Sequence, residues 1–109
     1  MTGYYQLKRS GEQFMFNLKA GNHETILTSE RYTSKQAAEG GIASCKTNSG
    51  TDSRYVRKTS TSNEPYFVLT AANGQTIGRS EMYSSTAAME NGVASCKANG
   101  PAAPTKDET

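Results

Sequence analysis

The sequence predicts an α+β fold made of two tandem copies of one unit, three strands followed by a helix. Three observations predict it. The first is a repeat: a shift of 51 aligns Phe16–Asn48 with Phe67–Asn99 without a gap, and 18 of the 33 positions are identical. GIASCK at 41–46 returns as GVASCK at 92–97. The second is that the apolar period changes once within each copy, from alternation to helical spacing. The third is that turn and capping residues stand at each change. The units run from about Tyr4 to Gly50 and from about Arg54 to Gly100, followed by a 101–109 tail, all within one compact domain of 109 residues.

Tyr5–Arg9 reads as the first strand and is set off by Ser10-Gly11-Glu12. Phe14, Phe16 and Leu18 alternate with Met15, Asn17 and Lys19, as a half-buried strand requires, and Gly21-Asn22 turns the chain into a third strand over Thr25–Ser29. From Thr33 the spacing is helical: Ala38, Ile42 and Cys45 share a face, as do Met89, Val93 and Cys96 in the second copy. Thr33 or Ser34 can cap the first helix, Gln36 completes a capping box from Thr33, and Tyr32 is placed to staple onto Ala37; Ser84, Ser85, Tyr83 and Ala88 repeat the caps and the staple. Asn48, Gly50 and Gly100 end the helices. Mid-helix glycine costs about 1 kcal/mol relative to alanine, so Gly41 and Gly92, kept in both copies, predict a close approach of backbone to the sheet or the other helix. Pro101–Thr109 is polar and proline-rich, yet its spacing from Lys97 repeats that of Arg54 from Lys46, which predicts a short strand over Thr105–Glu108.

Composition excludes several function classes. With 34% hydrophobic residues and a mean hydropathy of −0.71 the chain is polar, but six Tyr and three Phe supply a core. The net charge of +2 is scattered, without a basic run that would mark a nucleic-acid or membrane footprint. No stretch approaches the roughly 20 apolar residues of a membrane span and no leader pattern opens the chain, so a cytoplasmic location is expected. There Cys45 and Cys96 stay reduced, and they lack the CxxC spacing of metal or dithiol sites.

The T-S-E-x-Y-[ST]-S lead into each helix, the G-[IV]-A-S-C-K helix end and the K-D-x-T tail resemble the YegP-like family, a bacterial domain of unknown function. The resemblance covers nearly the whole chain. It implies tandem β(3)-α-β repeats forming a single antiparallel sheet with exchanged C-terminal strands and two helices on one face. The tail departs from the pattern at Glu108, where a hydrophobic residue is usual. The family brings no activity or cofactor, so no catalytic, cofactor-binding or metal-binding residue is assigned.

His23, the single histidine, stands in a turn opposite Gly74, and no His-based triad or metal site can be built from it. Cys45 and Cys96 lie on the apolar helix faces and read as small core residues. Glu30 and Glu81, retained before Tyr32 and Tyr83, read either as site residues or as carboxylates favoured near a helix N-terminus. With no phosphate-cradling loop, paired-carboxylate cleft or activated nucleophile, an enzyme is not expected. The expected function is a binding or interaction module, a monomer with internal pseudo-twofold symmetry whose partner the residues do not identify, another protein being the first candidate. Its candidate surface is the sheet face away from the helices, with Tyr4, Met15, Asn17 and Lys19, joined by Glu30 and Glu81. The alternative is nucleic-acid binding by the same face through Lys8, Arg9, Lys19, Arg54, Arg57 and Lys58.

Overall fold

The computed structural model describes residues 3–109. Three strands, β1 (Tyr4–Ser10), β2 (Gln13–Lys19) and β3 (Thr25–Ser29), precede α1 (Lys35–Asn48). A 3-10 turn over Asp52–Arg54 leads to β4 (Tyr55–Thr59), β5 (Pro65–Thr70), β6 (Thr76–Arg79), α2 (Thr86–Asn99) and β7 (Thr105–Asp107). All seven strands form one sheet in the order β4-β5-β6-β3-β2-β1-β7. A pseudo-twofold axis therefore passes between β3 and β6, where Thr28 pairs with Arg79 and Ser29 with Gly78.

Six strands are antiparallel to their neighbours, and β7 joins β1 in parallel, with Tyr5 opposite Thr105 and Leu7 opposite Asp107, so the sheet is mixed. The tail of the second unit thus pairs with the first strand of the first unit. Exchange happens once only: the stretch after α1 becomes β4 itself, which pairs with β5 and stands at the opposite edge. Glu108 lies just past β7, and its N–H donates to the Leu7 carbonyl at 2.8 Å. The departure from the usual hydrophobic residue is therefore harmless to pairing.

Both helices bury their expected faces in one core, where Ala38, Ile42, Cys45, Met89, Val93 and Cys96 meet Tyr5, Leu7, Phe16, Leu18, Leu27, Phe67 and Leu69. The caps are Ser34 and Ser85, whose hydroxyls accept from the Ala37 and Ala88 N–H groups at 3.0 and 3.1 Å. The cap is thus one residue beyond Thr33, off the register of a Thr33–Gln36 box. Tyr32 and Tyr83 stack on Phe16 and Phe67 and lie over Gly41 and Gly92, where a Cβ would come within 2.6 and 2.7 Å of the phenol Cζ. The close approach signalled by these glycines is to the unit's own tyrosine and to the sheet residues beneath it, Phe16 at 3.1 Å and Phe67 at 3.3 Å, and not to the other helix.

The helix ends cross the axis. Tyr5 donates its hydroxyl to the Gly100 carbonyl at 2.7 Å, and Tyr55 donates to the Ser49 carbonyl at 2.6 Å. Each unit's first strand therefore closes the other unit's helix end. Ser49 and Gly100 are equivalent positions and meet there: a Cβ on Gly100 would fall 2.6 Å from the Ser49 Cβ, so only one of the pair can carry a side chain. Gly100 has φ −58°, an ordinary helical value, so it is there for space, not for a left-handed turn. No helix among the described residues is long and apolar enough to cross a membrane.

Candidate functional site

Alternation along β1 sends Tyr5 and Leu7 into the core and leaves Tyr4, Gln6 and Lys8 on the face without helices. Strand register carries that face across the sheet. Tyr4, Gln6 and Lys8 stand opposite Lys19, Asn17 and Met15; Asn17 stands opposite Thr28, Thr28 opposite Arg79, Arg79 opposite Val68, and Val68 opposite Val56. Lys58 pairs with Tyr66, and Lys106 pairs with Gln6 from β7. Lys8, Lys19, Lys58, Arg79 and Lys106 thus share one face. The carboxylate that joins them there is Glu108, which accepts from Gln6 at 3.2 Å.

The helix side is different, because three of its cations are held in ion pairs. Lys35 meets Asp107 at 2.6 Å, Arg57 meets Glu90 at 2.7 Å and Asp52 at 3.0 Å, and Lys97 meets Asp52 at 2.5 Å. The Lys35 and Thr109 hydrogen bonds hold the Asp107 carboxyl well below the usual range, and Lys97 and Arg57 lower that of Asp52. Three cations expected on the open face belong elsewhere. Arg57 is held by α2 through Glu90, Arg54 donates to Asn48 at 2.9 Å, and Arg9 lies 4.9 Å over the Phe14 ring.

Tyr4 and Lys19 stand on the open face and are partly exposed, as expected. Met15 and Asn17 are on the same face but are only 7% and 6% exposed. They sit in the middle of an inner strand flanked by partners on both sides, whereas Tyr4 and Lys19 stand at strand ends. Among the described residues the Asn17 side-chain amide has no hydrogen-bond partner, yet it retains contact with solvent. Glu30 and Glu81 are exposed but are not brought together with Tyr4 and Lys19. They follow β3 and β6 beside Tyr32 and Tyr83, whose phenols are pushed up first by burial and further by these carboxylates.

What both copies retain in Ser-Glu is a backbone device. Ser29 accepts from the Phe16 N–H at 2.9 Å and donates to the Glu30 carbonyl at 2.7 Å; Ser80 does the same for Phe67 and Glu81 at 3.0 and 2.8 Å. Sequence reasoning missed Arg79 and Lys106 as members of the basic face. The alignment of Arg79 with Thr28 at the 51 shift was the signal for the first, and only strand register reveals the second.

The remaining reactive groups are occupied or sealed. His23 has φ 70° in its turn, and its Nδ1 lies 3.0 Å from the Tyr4 hydroxyl. Cys45 and Cys96 are fully buried, and burial pushes their thiols up to about 12 and about 11. No group of three His, Cys, Asp or Glu among the described residues is placed to hold a metal ion.

Comparison with known proteins agrees with this architecture. A family described as a domain of unknown function, DUF1508, matches residues 10–55 and again 60–107. A UPF0339 protein of Bordetella pertussis is 63% identical over 109 residues, spanning all of this chain and 98% of that one. The UPF0339 protein YegP of Escherichia coli K12 is 53% identical over 110 residues, with complete coverage of both. The solution structure of E. coli YegP superposes with a TM-score of 0.93 over 100% of this chain and 95% of that one. The solution structure of a UPF0339 protein of Shewanella oneidensis gives 0.91 at 52% identity, over 98% and 92%. Two family repeats, matched end to end and folded about one axis into one sheet, make this chain a member of the UPF0339 family with a duplicated DUF1508 domain.

Proposed function

We propose that the chain is a non-catalytic binding module that engages an acidic protein surface through the open face of its sheet. The observation that carries this reading is the division of charge: on the open face five cations, four of them outside any ion pair among the described residues, and on the helix side Lys35, Arg57 and Lys97 held by Asp107, Glu90 and Asp52. Lys106 meets Glu108 at 3.9 Å, while Lys8, Lys19, Lys58 and Arg79 form no ion pair among the described residues; such exposed cations attract and orient an anionic partner at little desolvation cost. Thiols buried and held protonated are poor nucleophiles, which supports a non-catalytic role. The free cysteines support the reducing cytoplasm as its place of action, and the self-complementary halves support a monomer.

Single-stranded nucleic acid is a second reading, favoured by Tyr4 and Tyr66 on the same face as the lysines, where bases could stack. One experiment addresses both. The chain and a Lys8→Glu/Lys58→Glu/Arg79→Glu variant are titrated with polyglutamate and with single-stranded oligonucleotides at low and physiological salt. Salt-sensitive binding lost in the variant supports the open face, and the ligand preferred at physiological salt decides between the readings. Equal binding by variant and parent excludes the open face.

A further inference from the structure

A second surface, away from the basic face, is built at the junction of the two units. A cleft of about 240 Å³ lies between the β2–β3 turn of the first unit and α2 of the second. Eight of the ten residues around it have the same residue type at the position 51 away, so the pseudo-equivalent place between the β5–β6 turn and α1 has nearly the same walls. The two that differ are Glu24, matched by Gln75, and Asn91, matched by Gly40. The cleft is therefore charged and amide-lined on one side of the molecule and neutral on the other.

Its polar groups are free to bind. Among the described residues Glu24 forms no ion pair, and neither the Tyr83 hydroxyl nor the Asn91 amide has a hydrogen-bond partner. Tyr83 cannot turn away, because its ring stacks on Phe67 at 12° and its backbone N–H is held by the Pro65 carbonyl at 2.8 Å. The Asn22 side-chain oxygen is used by the Glu24 N–H at 3.1 Å, which leaves the Asn22 NH2 group available. Glu81 and Glu24 both raise the Tyr83 phenol after burial does, so both carboxylates lie within electrostatic range of its hydroxyl. No cation lines the cleft. Its volume is below that of pockets that hold drug-sized ligands, and Ile26, Ala88 and Gly92 give it an apolar wall with little side-chain bulk.

We infer that this cleft is a site for a small organic cation, a primary ammonium on a short aliphatic chain. The ammonium pairs with Glu24 and donates to the Tyr83 hydroxyl and the Asn91 carbonyl, while the aliphatic body lies along Ile26, Ala88 and Gly92. The inference goes beyond the binding function proposed above and involves none of its residues, so either can fail alone.

The test is a titration of the isotopically labelled full chain, read by amide shifts in NMR, with n-butylamine as the probe and butanol and butyrate as neutral and anionic counterparts. Saturable shifts at Thr25, Asn91 and Gly92 with the amine, absent with butyrate, are the expected result. Glu24→Gln, which gives this cleft the residue of its twin, weakens the amine roughly tenfold or more, as loss of a charge-assisted hydrogen bond does. Gln75→Glu with Gly40→Asn builds the charged cleft on the other side and produces a second set of shifts around Gly41. No saturable shift with the amine, equal response to butyrate, or unchanged affinity in Glu24→Gln overturns the site.

Discussion

Two adjacent glycines in α1 should respond to alanine with opposite signs. At Gly40 an added Cβ meets nothing within 4 Å. Gly40→Ala should then show the bare helix preference and stabilise by about 1 kcal/mol. At Gly41 the same Cβ would overlap the Tyr32 hydroxyl, lie 2.6 Å from its Cζ, and come within 3.1 Å of Phe16 Cε2. Tyr32 is not free to yield. Its backbone is paired with Phe14 in both directions at 2.7 and 2.8 Å, and its ring is stacked on Phe16 with the planes at 14°. Overpacking of this kind costs about 1–3 kcal/mol, and the helix gain of about 1 kcal/mol offsets part of it, leaving a net destabilisation of about 1 kcal/mol. Thermal unfolding reads the difference, since 1 kcal/mol moves the midpoint by roughly 4–8 °C in a domain near this size. Gly40→Ala should melt higher than the parent and Gly41→Ala lower. In a Tyr32→Ala background only the Phe16 contact at 3.1 Å remains, and Gly41→Ala should lose most or all of its cost. If Gly41→Ala stabilises in the presence of Tyr32, the tyrosine is not what the glycine accommodates, and this account of Gly41 fails.

Other outcomes follow from the same geometry. Ser29→Ala removes the acceptor of the buried Phe16 N–H and should cost about 1–3 kcal/mol, measurable by urea unfolding, with Ser80→Ala giving a matching loss at Phe67. Burial lifts the Cys45 and Cys96 thiols from 9.0 to about 12 and about 11, so the folded chain keeps protons that the unfolded chain releases. Their contribution is complete below pH 9 and declines as pH rises from 9 towards 12, which a series of denaturation midpoints will display; a flat profile refutes it. At neutral pH both thiols should resist a thiol reagent in the native state and label together on unfolding. A fragment of residues 1–62 loses the β6 partner of β3 and the β7 partner of β1, so sedimentation should find a symmetric dimer or an unfolded chain, while the intact chain sediments as a monomer. A stably folded monomeric fragment would count against the single-sheet dependence of the halves.

The repeat made much of this fold legible. A 51-residue self-alignment places equivalent residues across an axis, and helical spacing of Ala38, Ile42 and Cys45 identifies the face that packs on the sheet. Gly41 announced a close contact, but the partner depends on how Tyr32 enters the helix, a matter of tertiary direction that residue spacing does not encode. The bonds from Tyr5 to Gly100 and from Tyr55 to Ser49 join units through side chains and carbonyls with no local pattern. The open face was legible from alternation, since Tyr4 and Lys19 emerge where expected. Burial of Met15 and Asn17 was not, because it depends on neighbours across β1 and β3. Arg57 illustrates the limit for charge: alternation assigns a side, while the approach of Glu90 on α2 decides whether the charge is free.

The first strand depends on residues made long after it. Tyr5 receives the Pro104 carbonyl on its N–H, Leu7 receives the Glu108 N–H on its carbonyl, and the Tyr5 hydroxyl waits for Gly100. At synthesis rates of about 5–20 residues per second, the intervening stretch takes roughly 5–20 s to appear. During translation β1 therefore emerges with an unpaired outer edge that stays uncovered until residues 104–108 have left the ribosomal exit tunnel. A nascent chain stalled before residue 104 presents that edge to chaperones or to neighbouring nascent chains on the same message, and the emergence of β7 is the event that withdraws it.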